Sequence, residues 1–143
     1  MRGALLGALI GAAALAGCST PDLGPSPAEL KARWDAQNVF PQTYKADLLA
    51  FLRTYLNDPA HVKGAAVSQP VLKEVGQGQG QRYVVCLRYN ARDMDGKYPG
   101  PKDGAAVYVS AKLDRYVDVK REVTDLCKDA VYAPFPELEK LTR

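Results

Sequence analysis

The side chains in this sequence that could carry out chemistry are few and far apart. His61 is the single histidine of the chain and stands two residues after Pro59. A histidine that acts as a base needs a nucleophile and an orienting partner, and a metal site needs three or four ligands. The sequence contains no GxSxG nucleophile motif and no cysteine cluster around His61. We therefore interpret His61 as a loop residue.

Two further motifs have the composition of ligand-binding loops but the wrong context. The segment RDMDGK, residues 92–97, begins like a calcium loop, with Asp93 and Asp95 two residues apart. Lys97 occupies the next ligand position, however, and the terminal glutamate is absent, so we predict a charged turn. In GQGQG, residues 76–80, the glycines precede a strand-like segment rather than a helix, which favours a hairpin turn over a phosphate-binding loop. We predict no metal, no cofactor and no enzymatic activity.

The amino terminus has the composition of an export signal. Met1 and Arg2 provide a short basic start, and residues 3–16 consist of Gly, Ala, Leu and Ile alone. This run is shorter than the roughly 20 apolar residues that a spanning helix needs. A charged start, a short apolar core and small residues before a break are typical of a cleaved signal peptide. We predict that residues 1–17 form this signal.

The cysteine that follows carries a more specific signal. The tetrapeptide LAGC, residues 15–18, resembles the lipobox of bacterial lipoproteins. The resemblance implies cleavage before Cys18, a diacylglyceryl thioether on its sulfur and acylation of the new amino terminus, as with palmitate. Two or more acyl chains give stable anchoring, whereas one chain is marginal. By the same resemblance, Ser19 favours sorting to the outer membrane, facing the periplasm, over retention at the inner membrane.

The other two cysteines, Cys86 and Cys127, bear on the redox compartment. Export would place them in an oxidising environment, where thiols tend to pair. Since they are the only two cysteines besides Cys18, one internal pairing is possible. We predict a Cys86–Cys127 disulfide, and the alternative is two buried free thiols.

Composition limits the class of partner. The chain of 143 residues carries a formal net charge of +3, with acidic and basic residues interspersed. A nucleic-acid-binding protein usually concentrates its basic residues in a stripe, so we expect no nucleic-acid partner. We predict a lipidated cysteine and flexible tether over residues 18–27, which are rich in proline, and one domain over residues 28–143.

Two helices are predicted at the start of this domain. SPAE, residues 26–29, is typical of a helix start, because serine can cap, proline suits the first helical position and glutamate completes a capping box. A short helix to about Ala36 should follow. A second and more amphipathic helix is predicted over residues 44–56, with apolar side chains at spacings of three and four. Pro59 follows its end.

Beyond Pro59 the hydrophobic period changes to two, which indicates strands. We predict one strand over residues 65–75, which Pro70 weakens and so makes an edge strand or a strand with a bulge, and a strong strand over residues 81–92. A loop over 93–104, a strand over 105–114 and a short strand over 115–120 should follow. Residues 121–131 could form one or two helical turns, and the remaining tail could end in a last helical turn.

These elements predict an α+β fold in which N-terminal helices pack on a small antiparallel sheet of three or four strands. The stretch from Tyr44 to Leu113 also resembles small proteobacterial envelope lipoproteins of unassigned function. The resemblance rests on the helix ending in NDP, the strand VCLRYNAR and the loop GKYPGPKDG. It implies this architecture and this compartment, and it implies no activity.

A possible binding surface lies around the long loop. Exposed tyrosine and arginine are enriched at binding hot spots, and long loops often carry function. The candidates are Arg88, Tyr89, Tyr98 and Lys102. Alternatively, Tyr98 packs its own loop onto the sheet. We expect a lipid-anchored envelope protein that acts as a non-enzymatic interaction or structural module, with an envelope protein as its partner. The alternative is a periplasmic ligand-binding or inhibitor module.

Overall fold

A computed structural model describes residues 24–76 and 80–142. The predicted signal peptide, Cys18 and most of the predicted tether lie outside these residues, as does the middle of the GQGQG turn. Four helices and six strands follow one another in the described ranges: α1 (Pro27–Ala36), α2 (Tyr44–Tyr55), β1 (Asp58–Ser68), β2 (Val71–Glu74), β3 (Gln81–Arg92), β4 (Lys102–Val109), β5 (Lys112–Val117), α3 (Lys120–Leu126), β6 (Tyr132–Pro134) and α4 (Pro136–Glu139).

The predicted α+β class is confirmed, but the sheet is larger than the predicted three or four strands. Its strands run in the order β5-β4-β3-β1-β6, with β2 pairing β3, and every pair is antiparallel. The predicted strand 65–75 is two strands separated at Pro70, which has no N–H to donate to a ladder. The first of these strands begins as early as Asp58, directly after α2.

The predicted strand 105–114 is also two strands. A tight turn separates them, and its sequence lacks the residue types that usually mark such turns. Val109 and Lys112 pair across a two-residue loop, in which Ser110 and Ala111 have φ of 50° and 62°. Positive φ at both loop residues defines the hairpin turn that normally selects Asn and Gly. Neither residue type is present here, so the pattern gave no sign of a turn. The Ser110 N–H donates to the Gln37 carbonyl at 2.8 Å.

The sheet is covered on both faces, whereas the sequence predicted a helix on one. Val85 and Leu87 of β3 face α2, and both belong to the larger of two buried apolar clusters. Val84 and Cys86 face the opposite way and belong to a second cluster with Val123 of α3. The predicted alternation along β3 is therefore confirmed. Both of its sides are apolar because both are buried.

The C-terminal tail completes the larger cluster. Phe135, Leu138 and Leu141 are buried together with the apolar side of α2. Two hydrogen bonds join the tail to β1, since the Phe135 N–H donates to the Ala65 carbonyl and the Ala65 N–H donates to Glu139 Oε1, both at 2.8 Å. The tail thus covers part of the sheet that α2 leaves open.

A buried arginine holds α1 against the start of β3. The capping box at Ser26 and Glu29 is present as predicted, but α1 has no buried residue of its own. Arg82, which is 3% exposed, stacks 3.8 Å from the Trp34 ring and donates to the Trp34 carbonyl and to Gln37 Oε1, each at 2.8 Å. These contacts place the helix that follows the predicted tether at the Arg82 end of β3.

The predicted disulfide between Cys86 and Cys127 is confirmed. Their Cα atoms lie 5.8 Å apart, and the bond joins the middle of β3 to the residue that ends α3. Because α3 has only seven residues, it could not be stable as an isolated helix. The disulfide and two buried side chains, Val123 and Leu126, hold it on the sheet.

We predict that replacing both Cys86 and Cys127 by alanine lowers the free energy of unfolding. The bond closes a loop with a sequence separation of 41 residues, which corresponds to about 4 kcal/mol on the chain-entropy estimate. Urea unfolding of the oxidised protein and of the double variant measures the difference. Reductant should destabilise the natural chain by a similar amount and leave the double variant unchanged. Equal stability of the oxidised and reduced natural chain would contradict the prediction.

Candidate binding groove

A groove opens where β5 separates from β4. The ladder between these strands ends at Ala105 opposite Val117, and the chain then turns away through Asp118 towards α3. Residues 102–104 of β4 pair with β3 on one side. On the other side they have no ladder partner within residues 24–76 and 80–142. Gly104 is buried beside Tyr116, so the exposed part of this edge is Lys102 and Asp103. The gap between these two residues and α3 forms the groove.

The groove has a volume of about 990 Å³ and is partly open to solvent. Thr124 of α3 and Lys128, two residues after that helix, lie on one side, and Pro99 and Pro101 of the long loop lie on another. The remaining lining includes three tyrosines from distant parts of the chain: Tyr55, Tyr89 and Tyr132. The lining is therefore mixed, with aromatic rings and charged groups at the same site.

An aromatic cluster supports the tyrosine end of the groove. The rings of Phe51, Tyr55 and Tyr116 lie 5.0–5.1 Å apart, and the Tyr55 hydroxyl donates to Asp118 Oδ2 at 2.6 Å. The phenol of Tyr116 occupies the space that a side chain at Gly104 would need. Its hydroxyl is buried and interacts with Tyr89, although it makes no hydrogen bond of good geometry to a described residue.

These phenols stay neutral in the folded protein. Burial, followed by the hydrogen bond to the Asp118 carboxylate and its negative charge, raises the pKa of Tyr55 well above its usual value. Burial is also the main reason why the pKa values of Tyr89 and Tyr116 are raised. A neutral phenol keeps its proton, so Tyr55 remains a hydrogen-bond donor at physiological pH.

The acidic and basic side chains of the groove differ in whether they have a partner. Arg88 binds Asp103 through two hydrogen bonds of 2.6 and 3.0 Å, and this pairing raises the pKa of the guanidinium. Asp118 accepts from Tyr55, and Asp93 Oδ1 accepts two backbone N–H groups of its own turn. Each carboxylate of the lining is thus satisfied by a neighbour.

The lysines of the groove lack such neighbours. Lys102, Lys120 and Lys128 all line it, and no carboxylate of the described chain lies within 4.0 Å of any of their ammonium groups. Arg92, a fifth cation of the lining, makes only a long contact of 3.8 Å with Asp58. The groove therefore carries excess positive charge directed to solvent.

Three of the four predicted surface residues meet in the groove. Arg88 and Lys102 are exposed there, but Tyr89 is 5% exposed and belongs to the core that faces α2, so its predicted exposure is wrong. Tyr98 does not line the groove. It packs its loop onto the sheet, with the Lys63 ammonium 4.3 Å and the Arg92 guanidinium 5.5 Å from the ring centre.

Sequence reasoning did not find the other groove residues. They are Tyr55 of α2, Lys120 of α3, Lys128 of the segment after α3 and Tyr132 of β6, and no motif connects them. Tyr55 shares the three- and four-residue spacing of the apolar side chains of α2, which favours burial, but it is 43% exposed. Only the path of the chain after β5 brings these residues together.

His61 lies outside the groove and within β1, so the predicted loop position is wrong. Its Nδ1 lies 2.9 Å from Asp58 Oδ2, and this hydrogen bond is the main reason why the pKa of Asp58 is lowered. No hydroxyl or thiol of a described residue hydrogen-bonds to the imidazole. Among all the residues that the structure describes, no group of three or more His, Cys, Asp or Glu residues could hold a metal ion.

No family model, no curated protein and no solved structure matches this chain. The resemblance to bacterial lipoproteins therefore stays a prediction. None of the helices described here is long and apolar enough to cross a membrane.

We predict that the stability of the protein falls with rising pH above about 10, the usual pKa of tyrosine. The folded state holds the protons of Tyr55, Tyr89 and Tyr116 above their usual pKa, whereas the unfolded state releases them. Their contribution is thus fully present below that pH and is lost as the pH rises. Urea unfolding at several pH values measures the slope.

The variant Tyr55→Phe should make this alkaline decline shallower, because one perturbed phenol is removed. Phe51→Leu is the matched control, since it alters the same aromatic cluster without removing an ionisable group. It should lower stability at every pH and leave the slope unchanged. A Tyr55→Phe variant with the slope of the natural chain would disprove this assignment.

Proposed function

We propose that this chain is a lipid-anchored protein of the bacterial cell envelope that has no catalytic activity and binds an envelope partner through the groove. The observation that carries the binding role is the convergence of Arg88, Lys102, Lys120 and Lys128 around one open, tyrosine-lined groove. Aromatic rings and arginine are the residue types that contribute most at protein interfaces. Arg88 is paired with Asp103, but the three lysines have no carboxylate partner among the described residues and remain available to a ligand.

The anchor is supported by the sequence of the amino terminus. A basic start, a short apolar run and LAGC ending at Cys18 favour lipidation of that cysteine. Ser19 favours the outer membrane, with the domain in the periplasm. The Cys86–Cys127 disulfide is compatible with an exported protein, since such bonds persist in oxidising compartments.

The relative positions of tether and groove support a division of roles. Arg82 holds α1 at the start of β3, and Arg88 to Arg92, at the other end of the strand, contribute to the groove. A strand rises about 3.3 Å per residue, so Arg82 and Arg92 are separated by about 30 Å. An anchor that leads into α1 would leave the groove at the far end of the domain, accessible to a partner.

The second candidate is a periplasmic module that binds a small ligand or acts as an inhibitor. The volume of the groove favours it, because small-molecule sites span about 300–1,000 Å³. We prefer a protein partner because the groove is open, whereas small-molecule sites usually enclose most of the ligand surface.

A photocrosslinking experiment in the natural envelope tests the proposal. A photoreactive phenylalanine analogue replaces Lys128, in the groove, or Lys140, which is exposed and outside it. We expect a discrete protein adduct from position 128 and none from position 140. The adduct at 128 should disappear when Lys102 and Lys120 are both changed to Glu. Equal adducts at both positions, or an adduct that survives the charge reversal, would contradict a groove interface.

The same cells test the anchor. Cys18→Ser should release the protein from the membrane fraction, whereas Ser19→Ala should leave it there, and mass spectrometry should find acyl chains on Cys18. Recovery of a membrane-bound Cys18→Ser protein, or of a natural chain that keeps Met1, would overturn lipid anchoring without bearing on the groove.

A further inference from the structure

We propose that the groove recognises an extended acidic segment of a partner protein, which adds as a strand to the exposed edge of β4 at Lys102 and Asp103. This inference rests on the proposed binding role of the groove and specifies the chemistry of its occupant. Two independent observations carry it: the edge itself, and the lysines that surround it.

The edge is a place where the sheet lacks a strand. Leu87, Arg88 and Tyr89 of β3 pair with residues 104, 103 and 102 of β4 on one side, but β5 ends at Val117. Because N–H and C=O groups of a strand point alternately to its two sides, at least one residue of this stretch directs its backbone polar groups into the groove. An extended peptide can satisfy such groups by strand addition.

The charged side chains beside the edge favour a partner segment with a negative net charge. Lys102 belongs to the edge, and Lys120 and Lys128 lie on the opposite side of the groove, on or just after α3. None of these ammonium groups has a carboxylate partner in the described chain, whereas each of the three lining carboxylates accepts hydrogen bonds from a neighbouring residue. A basic peptide would meet unpaired cations. An acidic peptide would pair with them.

The apolar parts of the lining suit alternate side chains of such a strand. Successive side chains of an extended segment point to opposite faces, so one set would face Lys120 and Lys128 and the other the ring of Tyr55. Tyr55 is 43% exposed, and Met94, at the rim, is 90% exposed, so both offer contact area that the fold leaves unused. The segment should therefore combine Glu or Asp with aromatic or apolar residues.

Hydrogen exchange with a defined probe tests the proposal on the full chain, purified in non-ionic detergent. The probe is a random copolymer of glutamate and tyrosine, and inorganic polyphosphate of equal charge is the comparison. We expect the copolymer to bind and to slow amide exchange within residues 102–104. Polyphosphate, which cannot pair with a strand edge, should leave that exchange unchanged.

Charge-reversed variants supply the matched control. Lys120→Glu combined with Lys128→Glu should weaken copolymer binding about tenfold or more. Lys112→Glu combined with Lys140→Glu alters the net charge equally but outside the groove, and it should leave the affinity within about twofold. Fluorescence of Trp34, the single tryptophan, checks that each variant is folded.

Three results would overturn the proposal: no copolymer binding, binding without slower exchange at 102–104, or equal weakening by both variant pairs. If either of the first two results occurs together with a specific groove adduct in cells, the proposal of an acidic strand is wrong, but the proposal that the groove binds a partner still holds. Absence of that adduct would instead remove the proposed function, whatever the copolymer does.

Discussion

The Cys86–Cys127 disulfide is the constraint on which the rest of the arrangement depends. It attaches a seven-residue helix to the middle of the longest strand of the sheet. A helix of that length contributes little stability of its own and relies on tertiary contacts. With α3 held in place, the chain between Val117 and Lys120 must leave the sheet and cross to its other face. The covalent bond that secures the second core therefore also determines where β4 loses its neighbour.

The groove is a consequence of how the two cores are filled. One face of the sheet is covered by α2 and the C-terminal tail, and the other by α3 and the residues around Cys127. Both coverings are short, and they meet near the end of β5, where they bury Gly104 but leave Lys102 and Asp103 exposed. A fold that buried this edge would need a longer β5 or a longer α3. The open edge, the tyrosines and the unpaired lysines thus share one structural origin.

The two ends of β3 have different characters. At its start, Arg82 is buried, stacked on Trp34 and bonded to several acceptors of α1 and the residues after it. At its far end, Arg88 and Arg92 face solvent, and their carboxylate contacts leave much of each side chain exposed. Arginine therefore holds two structural elements together at one end of the strand and forms part of the surface at the other, because the number of neighbouring hydrogen-bond acceptors differs.

Local sequence patterns were sufficient to predict several structural elements. The capping box at Ser26, the amphipathic period of α2, the alternation along β3 and the single possible cysteine pairing all depend on residues close in sequence or on counting. They were predictable because neighbouring residues dominate the energetics of a helix start or a strand. The tertiary structure alone decided the rest. The turn at Ser110 and Ala111 adopts left-handed backbone against residue preference, and the edge of β4 is exposed because β5 ends early. Lys120 and Lys128, at the start of α3 and just after it, lie in the same groove as that edge because residues far apart in sequence pack together, which no local pattern encodes.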